Sequence, residues 1–343
     1  MKAVLMRQHG GPEVLRYEEI ADPIAGPGEA LVRVRACALN HLDIWTRIGQ
    51  AGRNIPLPHI LGNDIAGEVV SLGTPVEGIA PGERVMVSPG TSCGRCLQCL
   101  SGEDNSCRNY RILGYQIWGG YAELVRVPVP NLIPLPGHLA FEEAAAFPLV
   151  FLTAWRMLVT RARVRLGEDV LVWAAGSGVG MAAIQVAKML GARVIATAGS
   201  AAKLEQARTL GADAVIDHHT QDVVAEVKRF TARKGADVVV EHVGQSTWER
   251  SVLALAHRGR LVTCGATTGP AGATELRYLF SKQLSLLGSY MGSKAELIEA
   301  AGHYFAQRLE PVVHAVLPLE EAARAHQMME LSQHFGKIVL KVA

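Results

Sequence analysis

From about residue 150 onward, short continuous apolar runs alternate with helix-like segments, and this alternation limits the fold more than any other feature of the chain. The apolar runs lie at 170–173, 193–197, 214–216, 238–240, 261–264 and 284–287. The helix-like segments lie at 179–190, 201–210, 221–232, 247–257 and 276–282. Strands that are apolar throughout are typical of a parallel sheet covered by helices on both faces. The pattern therefore predicts an α/β domain with a six-stranded, doubly wound parallel sheet.

The first 150 residues have a different character, because they are rich in glycine, proline and short β-type runs. Residues 31–36 alternate apolar and basic side chains, as a strand with one face in water does, and 65–70 and 84–87 are further short strands. We therefore predict a β-rich, barrel-like first domain. Near the end of the chain we predict two helices and a strand at 294–306, 319–331 and 337–342. Periodicity alone leaves open which domain these last elements join.

Composition excludes several classes of protein. The chain has 343 residues, which suggests two domains at roughly 150 residues each. Its hydrophobic fraction of 49% excludes global disorder, and its formal net charge of +2 argues against a nucleic-acid-binding protein. The most apolar stretch, 144–155, is shorter than the about twenty residues of a membrane span, and the N-terminus lacks the pattern of a signal peptide. We expect a soluble, cytoplasmic protein without nucleic-acid or membrane partners.

The apolar run at 170–173 leads directly into a glycine-rich loop, and a helical segment opens inside that loop. Glycines let a backbone approach a pyrophosphate, whose oxygens the free N–H groups at a helix start can bind. The frame at 175–180 departs from the G-x-G-x-x-G pattern, since Ala175 and Ser177 replace its first two glycines. The preceding strand and the following helix nevertheless favour a dinucleotide site over a turn without a ligand. Its predicted binding residues are Gly176, Ser177, Gly178, Val179 and Gly180.

The end of the next apolar run bears on which dinucleotide binds. Sites that prefer NAD usually place an acidic residue there, about twenty residues past the glycines, to bind the ribose 2′-hydroxyl. This chain has Ala198 instead, followed by Ser200 and Lys203. With no carboxylate to repel a 2′-phosphate, and with Ser200 and Lys203 able to bind one, we favour NADP(H) over NAD(H). Lys203 is equally able to contact an unphosphorylated ribose, so the preference depends mainly on the missing acid.

Four of the six cysteines, Cys93, Cys96, Cys99 and Cys107, lie within fifteen positions. Tetrahedral zinc takes four such ligands at about 2.3 Å, and spacings of this kind let a short loop surround the ion. Because all four positions are filled by protein, no site remains for water or substrate. We predict one structural Zn²⁺, and the less favoured alternatives are an iron–sulfur cluster or free thiols.

Taken together, these motifs resemble the medium-chain dehydrogenase/reductase family, which includes zinc alcohol dehydrogenases and quinone oxidoreductases. The resemblance covers nearly the whole chain. It implies a GroES-like, barrel-type catalytic domain at 1–150 and 291–343 with a structural zinc lobe at 88–110, and a dinucleotide-binding domain at 151–290. It also implies an NAD(P)-dependent alcohol dehydrogenase or reductase that forms a homodimer or homotetramer. The segment 284–289, at the end of the dinucleotide-binding domain, is the predicted edge strand for pairing across a two-fold axis.

Members of this family that carry a catalytic zinc use a Cys near the position of Asn40, a His within a Gly-His-Glu motif, and a third ligand just after the first domain. The corresponding positions here are Asn40, Asn63 with Asp64, and about Leu149, and none keeps a usual ligand. Asn40-x-x-Asp43 followed by Gly-x-Asp instead resembles the zinc-free quinone oxidoreductase branch. The resemblance therefore implies a structural zinc and no catalytic zinc.

Further site residues are implied by the resemblance alone, and simple packing is the alternative for each. His41 matches a basic residue near the cofactor phosphates, and Lys337 matches one that reaches the pyrophosphate. Thr153 matches a threonine that lines the nicotinamide. The backbone stretch that holds the carboxamide corresponds to Gly265, Ala266 and Ser289. The candidate polar residues near the reacting carbonyl are Asn40, His41, Asp43 and Trp45.

The expected reaction transfers a hydride between a nicotinamide and a small carbonyl compound, enone or quinone. Zinc lowers the pKa of a bound hydroxyl, so a site without it is poorly suited to oxidise a simple alcohol. Reducing a conjugated carbonyl is less demanding, because hydrogen bonds can polarise its oxygen. Two alternatives remain open. One is an alcohol dehydrogenase with a relocated zinc on His41, His59, Asp43 and Asp64, and the other is a non-catalytic NADPH-binding protein.

Overall fold

The structure is a computed structural model that describes residues 1–50, 55–74 and 78–342. The chain divides into two compact units. The first unit is Met1–Leu149 with Ser293–Ala343, and the second unit is Val150–Gly292. Within the described ranges, no helix is both long enough and apolar enough to cross a lipid bilayer.

The secondary structure agrees in type with the pattern read from the sequence. The strands are β1 (Lys2–Met6), β2 (Leu15–Glu19), β3 (Glu29–Ala38), β4 (His59–Ile60), β5 (Asp64–Leu72), β6 (Arg84–Val87), β7 (Gly90–Thr91), β8 (Arg111–Ile112), β9 (Leu124–Pro128), β10 (Leu132–Pro134), β11 (Asp169–Val172), β12 (Arg193–Ala198), β13 (Ala214–Asp217), β14 (Ala236–Glu241), β15 (Leu255–Thr263), β16 (Ser285–Gly288), β17 (Val313–Pro318) and β18 (Lys337–Lys341). The α-helices are α1 (His41–Arg47), α2 (Leu97–Leu100), α3 (Phe141–Ala146), α4 (Pro148–Trp155), α5 (Gly178–Met189), α6 (Ala201–Thr209), α7 (Val223–Phe230), α8 (Trp248–Ala254), α9 (Leu276–Ser281), α10 (Lys294–Phe305) and α11 (Ala322–Glu330).

The first unit is built on β-sheets. Its largest sheet has the order β10-β6-β5-β3-β18-β17, with β9 also paired to β3. All of these pairs are antiparallel except β17 with β18. Strand β18 comes from the end of the chain and inserts beside β3 with Val339 opposite Ala38. The last strand is therefore part of the first unit, which answers the question that periodicity left open.

The second unit contains a six-stranded sheet in the order β13-β12-β11-β14-β15-β16. Every neighbouring pair is parallel, as the apolar runs predict. Core side chains such as Leu171, Ile195 and Val239 have no exposed surface, because helices cover both faces of the sheet. The predicted fold class, a doubly wound α/β domain beside a β-rich GroES-like domain, is confirmed.

Among the element boundaries that differ from the prediction, two have clear local reasons. The helix expected at 221–232 begins only after Asp222, whose carboxylate accepts the N–H groups of Val224 and Ala225 and so caps α7. The helix expected at 247–257 ends at Ala254, and the chain passes directly into β15. Arg258 then adopts a positive φ of 62°, a conformation that a continuing α-helix does not allow.

Candidate cofactor, catalytic and metal sites

The glycine loop of the second unit joins β11 to α5 by a tight turn. Ser177 caps the helix, and its Oγ accepts the N–H of Gly180 at 2.9 Å. A Cβ atom placed on Gly180 would lie 2.3 Å from the carbonyl oxygen of Ala174, so only glycine permits this close approach of helix to strand. The N–H groups of Gly178 and Val179 lie in the first helical turn, where they have no partner inside the helix. This turn can accept an anionic group.

Lys203 lies beside the same loop. Its N–H donates to the Oγ of Ser200, which caps α6, at 3.4 Å. A Cβ atom placed on Gly176 would lie 2.9 Å from Lys203 Cδ and 3.5 Å from its Nζ. Burial lowers the pKa of Lys203. The structure thus brings together Gly176, Ser200 and Lys203, which the sequence predicted to share a site.

Sequence reasoning missed two histidines that directly follow β13. A Cβ atom placed on Gly199 would lie 2.5 Å from His219 Nε2 and 3.1 Å from His218 Nε2, so both rings stand over the end of β12. His218 Nδ1 also lies 3.4 Å from the hydroxyl of Thr197. Burial lowers the pKa of His218, as does the nearby His219. The signal was present in the sequence as two adjacent histidines at the end of the third apolar run.

The residues expected around the nicotinamide fall at different places in the second unit. Gly265 and Ala266 follow β15 after one intervening residue, Cys264, and Ser289 directly follows β16. Because the sheet is parallel, these strand ends lie at the same edge of the sheet as the glycine loop. The N–H of Ser289 donates to the carbonyl of Thr263 at 2.8 Å, whereas its buried Oγ has no hydrogen-bond partner within the described residues. Thr153 lies within α4 and is almost fully buried.

In the first unit, three residues far apart in sequence form a buried polar cluster of Asn40, Asp64 and Lys337. Lys337 Nζ donates to Asn40 Oδ1 at 2.6 Å and to Asp64 Oδ2 at 3.0 Å. Asn40 Nδ2 donates to the same Asp64 oxygen at 2.9 Å, and the N–H of Leu149 donates to Asp64 Oδ1 at 2.8 Å. The lysine and the aspartate are at most 1% exposed. We call these three side chains the Lys337 cluster.

The placement of Lys337 bears on two expectations. Its ammonium was expected to reach a pyrophosphate, but it is engaged within the first unit by Asn40 and Asp64. Asn40 was expected to polarise a carbonyl, but both ends of its carboxamide also take part in this cluster. Both side chains are therefore hydrogen-bonded within the first unit, and their predicted contacts with cofactor and substrate stay predictions.

Asp43 lies beside the cluster, at the start of α1. Its Oδ2 accepts the N–H of Asn40 at 2.8 Å, and its Oδ1 accepts the N–H of Gly62 at 2.9 Å. Burial raises the pKa of Asp43 to about 7, although both hydrogen bonds and the charge of Lys337 oppose that shift. The carboxyl therefore joins α1 to the segment that precedes β5.

His41 and Trp45 lie on the partly exposed face of the same helix. Their ring centroids are 6.1 Å apart with an interplanar angle of 52°. The buried face of α1 carries Asp43 and Arg47. Of the four predicted catalytic residues, His41 and Trp45 are thus the two whose side chains remain partly open to solvent.

Arg47 belongs to a second buried network that sequence reasoning missed. Its Nη1 lies 3.1 Å from His326 Nδ1, and its Nη2 contacts Glu330 of α11. His326 Nε2 lies 3.2 Å from the hydroxyl of Tyr121. Arg47 is a pure donor, so Nδ1 of His326 accepts and its proton resides on Nε2. Burial, followed by the nearby charge of Arg47, lowers the pKa of His326 to about 3.

The four predicted metal ligands Cys93, Cys96, Cys99 and Cys107 converge, with all four Sγ atoms within 4.8 Å of one another. The Sγ atoms of Cys96 and Cys99 are 3.5 Å apart, and those of Cys93 and Cys99 are 3.9 Å apart. Ligands at about 2.3 Å from a tetrahedral zinc are separated by about 3.8 Å, so the donor set fits the ion. The N–H groups of Arg95 and Cys96 lower the pKa of the Cys93 thiol, which favours the thiolate that zinc binds. A zinc in this position has four protein ligands and acts as a structural element.

The residues of the alternative metal site, His41, His59, Asp43 and Asp64, show no such convergence within the described ranges. Within residues 1–50, 55–74 and 78–342, the four cysteines are the one group of three or more His, Cys, Asp or Glu side chains with converging ligand atoms. His59 is fully buried, and burial lowers its pKa to about 4. Asp43 and Asp64 direct their oxygens at backbone N–H groups and, for Asp64, at Lys337 as well.

Comparison with known proteins supports one family along nearly the whole chain. Residues 26–137 match the family described as alcohol dehydrogenase GroES-like domain, and residues 178–306 match the family described as zinc-binding dehydrogenase. The quinone oxidoreductase of Homo sapiens is 30% identical over 99% of this chain and 97% of its own length. The crotonyl-CoA reductase of Streptomyces collinus is 33% identical over 94% of this chain and 80% of its own length. A solved structure described as an NAD-dependent alcohol dehydrogenase is 52% identical, covers 100% of both chains and superposes with a TM-score of 0.97.

Proposed function

The chain belongs to the medium-chain dehydrogenase/reductase family of NAD(P)-dependent oxidoreductases, and we propose that it uses NADPH to reduce a small conjugated carbonyl compound, an enone or a quinone, without a catalytic zinc. In this proposal the second unit binds the dinucleotide, and the first unit provides the groups that contact the substrate. The four cysteines hold one structural Zn²⁺.

The Lys337 cluster is the main observation in support of a site without a catalytic zinc. By the resemblance, Asn40, Asn63 and about Leu149 correspond to the positions at which zinc-dependent relatives place their ligands. Asp64, the neighbour of Asn63, accepts hydrogen bonds from Asn40 Nδ2 and from the N–H of Leu149. The ammonium of Lys337 lies among them, 3.0 Å from Asp64 Oδ2. A cation therefore already neutralises the carboxylate, and a second cation placed there would be repelled.

Without a metal, hydrogen bonds must polarise the substrate oxygen. His41 and Trp45 are partly exposed, and both carry an N–H that can donate to a carbonyl. Asn40 and Asp43 instead fix the start of α1, because the Asp43 carboxyl accepts the N–H of Asn40. We infer that His41 and Trp45 contact the substrate, while Asn40 and Asp43 position the helix that bears them.

A bound nicotinamide supplies the hydride in such a reaction. When a conjugated carbonyl accepts a hydride at its β-carbon, the π electrons shift to the oxygen and leave an enolate. The N–H groups of His41 and Trp45 stabilise that oxygen, and the α-carbon then takes a proton to complete the reduction. A saturated alcohol offers no such delocalisation, and its oxidation requires removal of a hydroxyl proton, which zinc would otherwise promote.

The preference for NADPH is supported by a group of basic side chains at the end of β12. Lys203, His218 and His219 lie around this strand end, and Ser200 adds a hydroxyl. The last residue of β12 is Ala198, so no carboxylate repels a 2′-phosphate there. On this basis Lys203 and His219 bind the 2′-phosphate of NADPH.

A second copy of the chain is the proposed partner. Strand β16 is at the edge of the six-stranded sheet, so one of its sides is free to pair. Exposed apolar side chains lie close to it in sequence, with Leu276 at 67%, Phe280 at 70% and Tyr290 at 55% exposure. Antiparallel pairing of β16 with its symmetry mate would cover them in a homodimer, which light scattering of the purified protein can test.

The test of the proposed activity combines metal analysis with a substrate panel. We expect about one zinc per chain and rapid NADPH oxidation with enones or quinones. We also expect little activity with saturated aldehydes, or with simple alcohols plus NADP⁺. Two zinc ions per chain together with alcohol oxidation would overturn the proposal.

A further inference from the structure

The strand β14 ends at Glu241, a fully buried carboxylate that receives four hydrogen bonds from neutral donors. Its Oε1 accepts the N–H groups of Val243 at 2.6 Å and Gly244 at 3.0 Å. Its Oε2 accepts the hydroxyls of Thr247 at 2.8 Å and Ser251 at 2.6 Å. Four donors satisfy a buried carboxylate without a cation. We call the segment that these bonds fix, residues 241–247, the Glu241 turn.

On one side, the Glu241 turn contacts the glycine loop through His242. His242 Nε2 lies 3.0 Å from the carbonyl oxygen of Trp173, the residue that follows β11. It also lies 3.4 Å from the Oγ of Ser177, the cap of α5. A carbonyl oxygen only accepts, so Nε2 carries the proton and donates. Burial lowers the pKa of His242, which keeps the ring neutral in this tautomer.

On its other side, the Glu241 turn contacts the loop after β15, which contains Gly265 and Ala266. The N–H and the hydroxyl of Thr268 both donate to the carbonyl of Val243 at 2.8 Å. A Cβ atom placed on Gly244 would lie 2.8 Å from the Cα of Ala266, and Gly244 has a positive φ of 95°. The two chain segments therefore touch backbone to backbone.

We propose that Glu241 and His242 are positioning residues that hold the glycine loop in its phosphate-binding shape. This inference rests on the proposed dinucleotide site. Glu241 fixes the turn, and the turn directs His242 Nε2 at Trp173 and Ser177, the two ends of the loop. In the proposed site the loop faces the pyrophosphate, which NADPH and NADH share. The loss of His242 should therefore raise the dissociation constants of both cofactors by the same factor.

This equal effect distinguishes His242 from His219. His219 stands over Gly199, at the end of β12, where only a 2′-phosphate would meet it. Replacing His219 should therefore weaken the binding of NADPH and leave the binding of NADH unchanged. Because a general loss of folding would also weaken the binding of both cofactors, the thermal midpoint and a conservative variant of His242 are needed to separate positioning from instability.

The experiment measures the dissociation constants of NADPH and NADH by fluorescence titration of the full chain, together with its thermal midpoint. His242→Leu removes the donor, and His242→Asn keeps a polar side chain that is too short to reach. We expect both variants to bind both cofactors about tenfold more weakly, the effect of one lost hydrogen bond. His242→Gln, whose amide can donate from the position of Nε2, should remain within about threefold of the wild type.

His257→Leu is the matched control, because His257 is an exposed histidine of the same unit. It should leave both constants unchanged. The inference is wrong if His242→Leu and His242→Asn bind both cofactors with the dissociation constants of the wild type. It is also wrong if the two variants weaken the binding of NADPH alone. If the wild-type protein binds neither dinucleotide, the proposed function is wrong, and this inference is wrong with it. If both variants unfold, Ser251→Ala, which removes one donor to Glu241, should give the same equal weakening to a smaller extent.

Discussion

The ammonium of Lys337 and the carboxylate of Asp64 form a 3.0 Å ion pair in which neither side chain is more than 1% exposed. They lie 273 residues apart in the chain. The pair forms because β18 inserts beside β3, which brings the end of the chain next to Asn40. Asn40 completes the cluster by accepting from the lysine and donating to the aspartate.

Removing the lysine should leave a buried carboxylate without its cation. We expect Lys337→Met to lower the free energy of unfolding by about 3–5 kcal/mol, measured by urea denaturation. The double variant Lys337→Met with Asp64→Asn should recover part of this loss, because the uncompensated charge is gone. Lys341→Met lies on the same strand but is 65% exposed, and should cost less than about 1 kcal/mol. If the two variants lower the free energy of unfolding equally, the buried ion pair stabilises the fold no more than the exposed lysine does.

Much of the second unit was predictable from sequence, because its signals are local. Each parallel strand is a continuous apolar run, and the glycine loop occupies one short segment between β11 and α5. The four cysteines whose sulfur atoms converge are also local, since they lie within fifteen positions. In such cases spacing alone brings the side chains together.

The polar clusters of the first unit were not predictable in the same way. Contacts such as Lys337 with Asp64, or Arg47 with His326, depend on which strands and helices become neighbours. A single chain carries no local signal for that choice. The resemblance to a family predicts that Lys337 reaches the pyrophosphate, and it gave no sign of the contacts with Asn40 and Asp64, which depend on the register of β18 against β3.

Asp43 should make stability fall as the pH rises. Its pKa in the folded protein is about 7, above the ordinary value of 3.8, so the folded state holds the proton more tightly than the unfolded state. The stabilisation is complete below pH 3.8 and is lost as the pH rises to about 7. Relative to Asp43→Asn, the wild type should lose about 1.4 kcal/mol per pH unit between pH 5 and 6.5. Urea denaturation at several pH values measures this difference, and parallel profiles for the two proteins would contradict it.

The titration of His326 should make the free energy of unfolding fall as the pH falls, in the opposite direction to that of Asp43. Its pKa falls to about 3 in the folded protein, so the unfolded state binds the proton more tightly. The stabilisation from the neutral ring is complete above pH 6.5 and is lost as the pH falls toward 3. Relative to His326→Gln, the wild type should lose about 1.4 kcal/mol per unit as the pH drops from 6 to 4. His314→Gln, a change at an exposed histidine of the same unit, should leave the acid limb of the profile unchanged.

Ala198→Asp should move the cofactor preference toward NADH. The substitution places a carboxylate at the end of β12, where it repels a 2′-phosphate and can accept the 2′-hydroxyl of NADH. We expect the ratio of the NADPH and NADH dissociation constants to change by about tenfold or more, measured by fluorescence titration. Ala198→Asn, of similar size but without charge, should change the ratio much less. If the aspartate variant keeps the wild-type ratio, the basic side chains around Lys203 and His219 do not select the cofactor.

Cys96→Ser should release the metal and lower the thermal midpoint, because a serine hydroxyl is a poor fourth ligand and the lobe folds around the ion. We expect the zinc content to fall from about one per chain toward zero, and the midpoint to fall by several degrees. Cys264→Ser, which lies in the second unit and outside the cluster, should leave the zinc content unchanged. The two measurements are elemental analysis and a thermal scan of the same preparations. If Cys96→Ser stops hydride transfer while zinc content and melting remain as in the wild type, the cysteine acts in the chemistry and its metal is not a structural element.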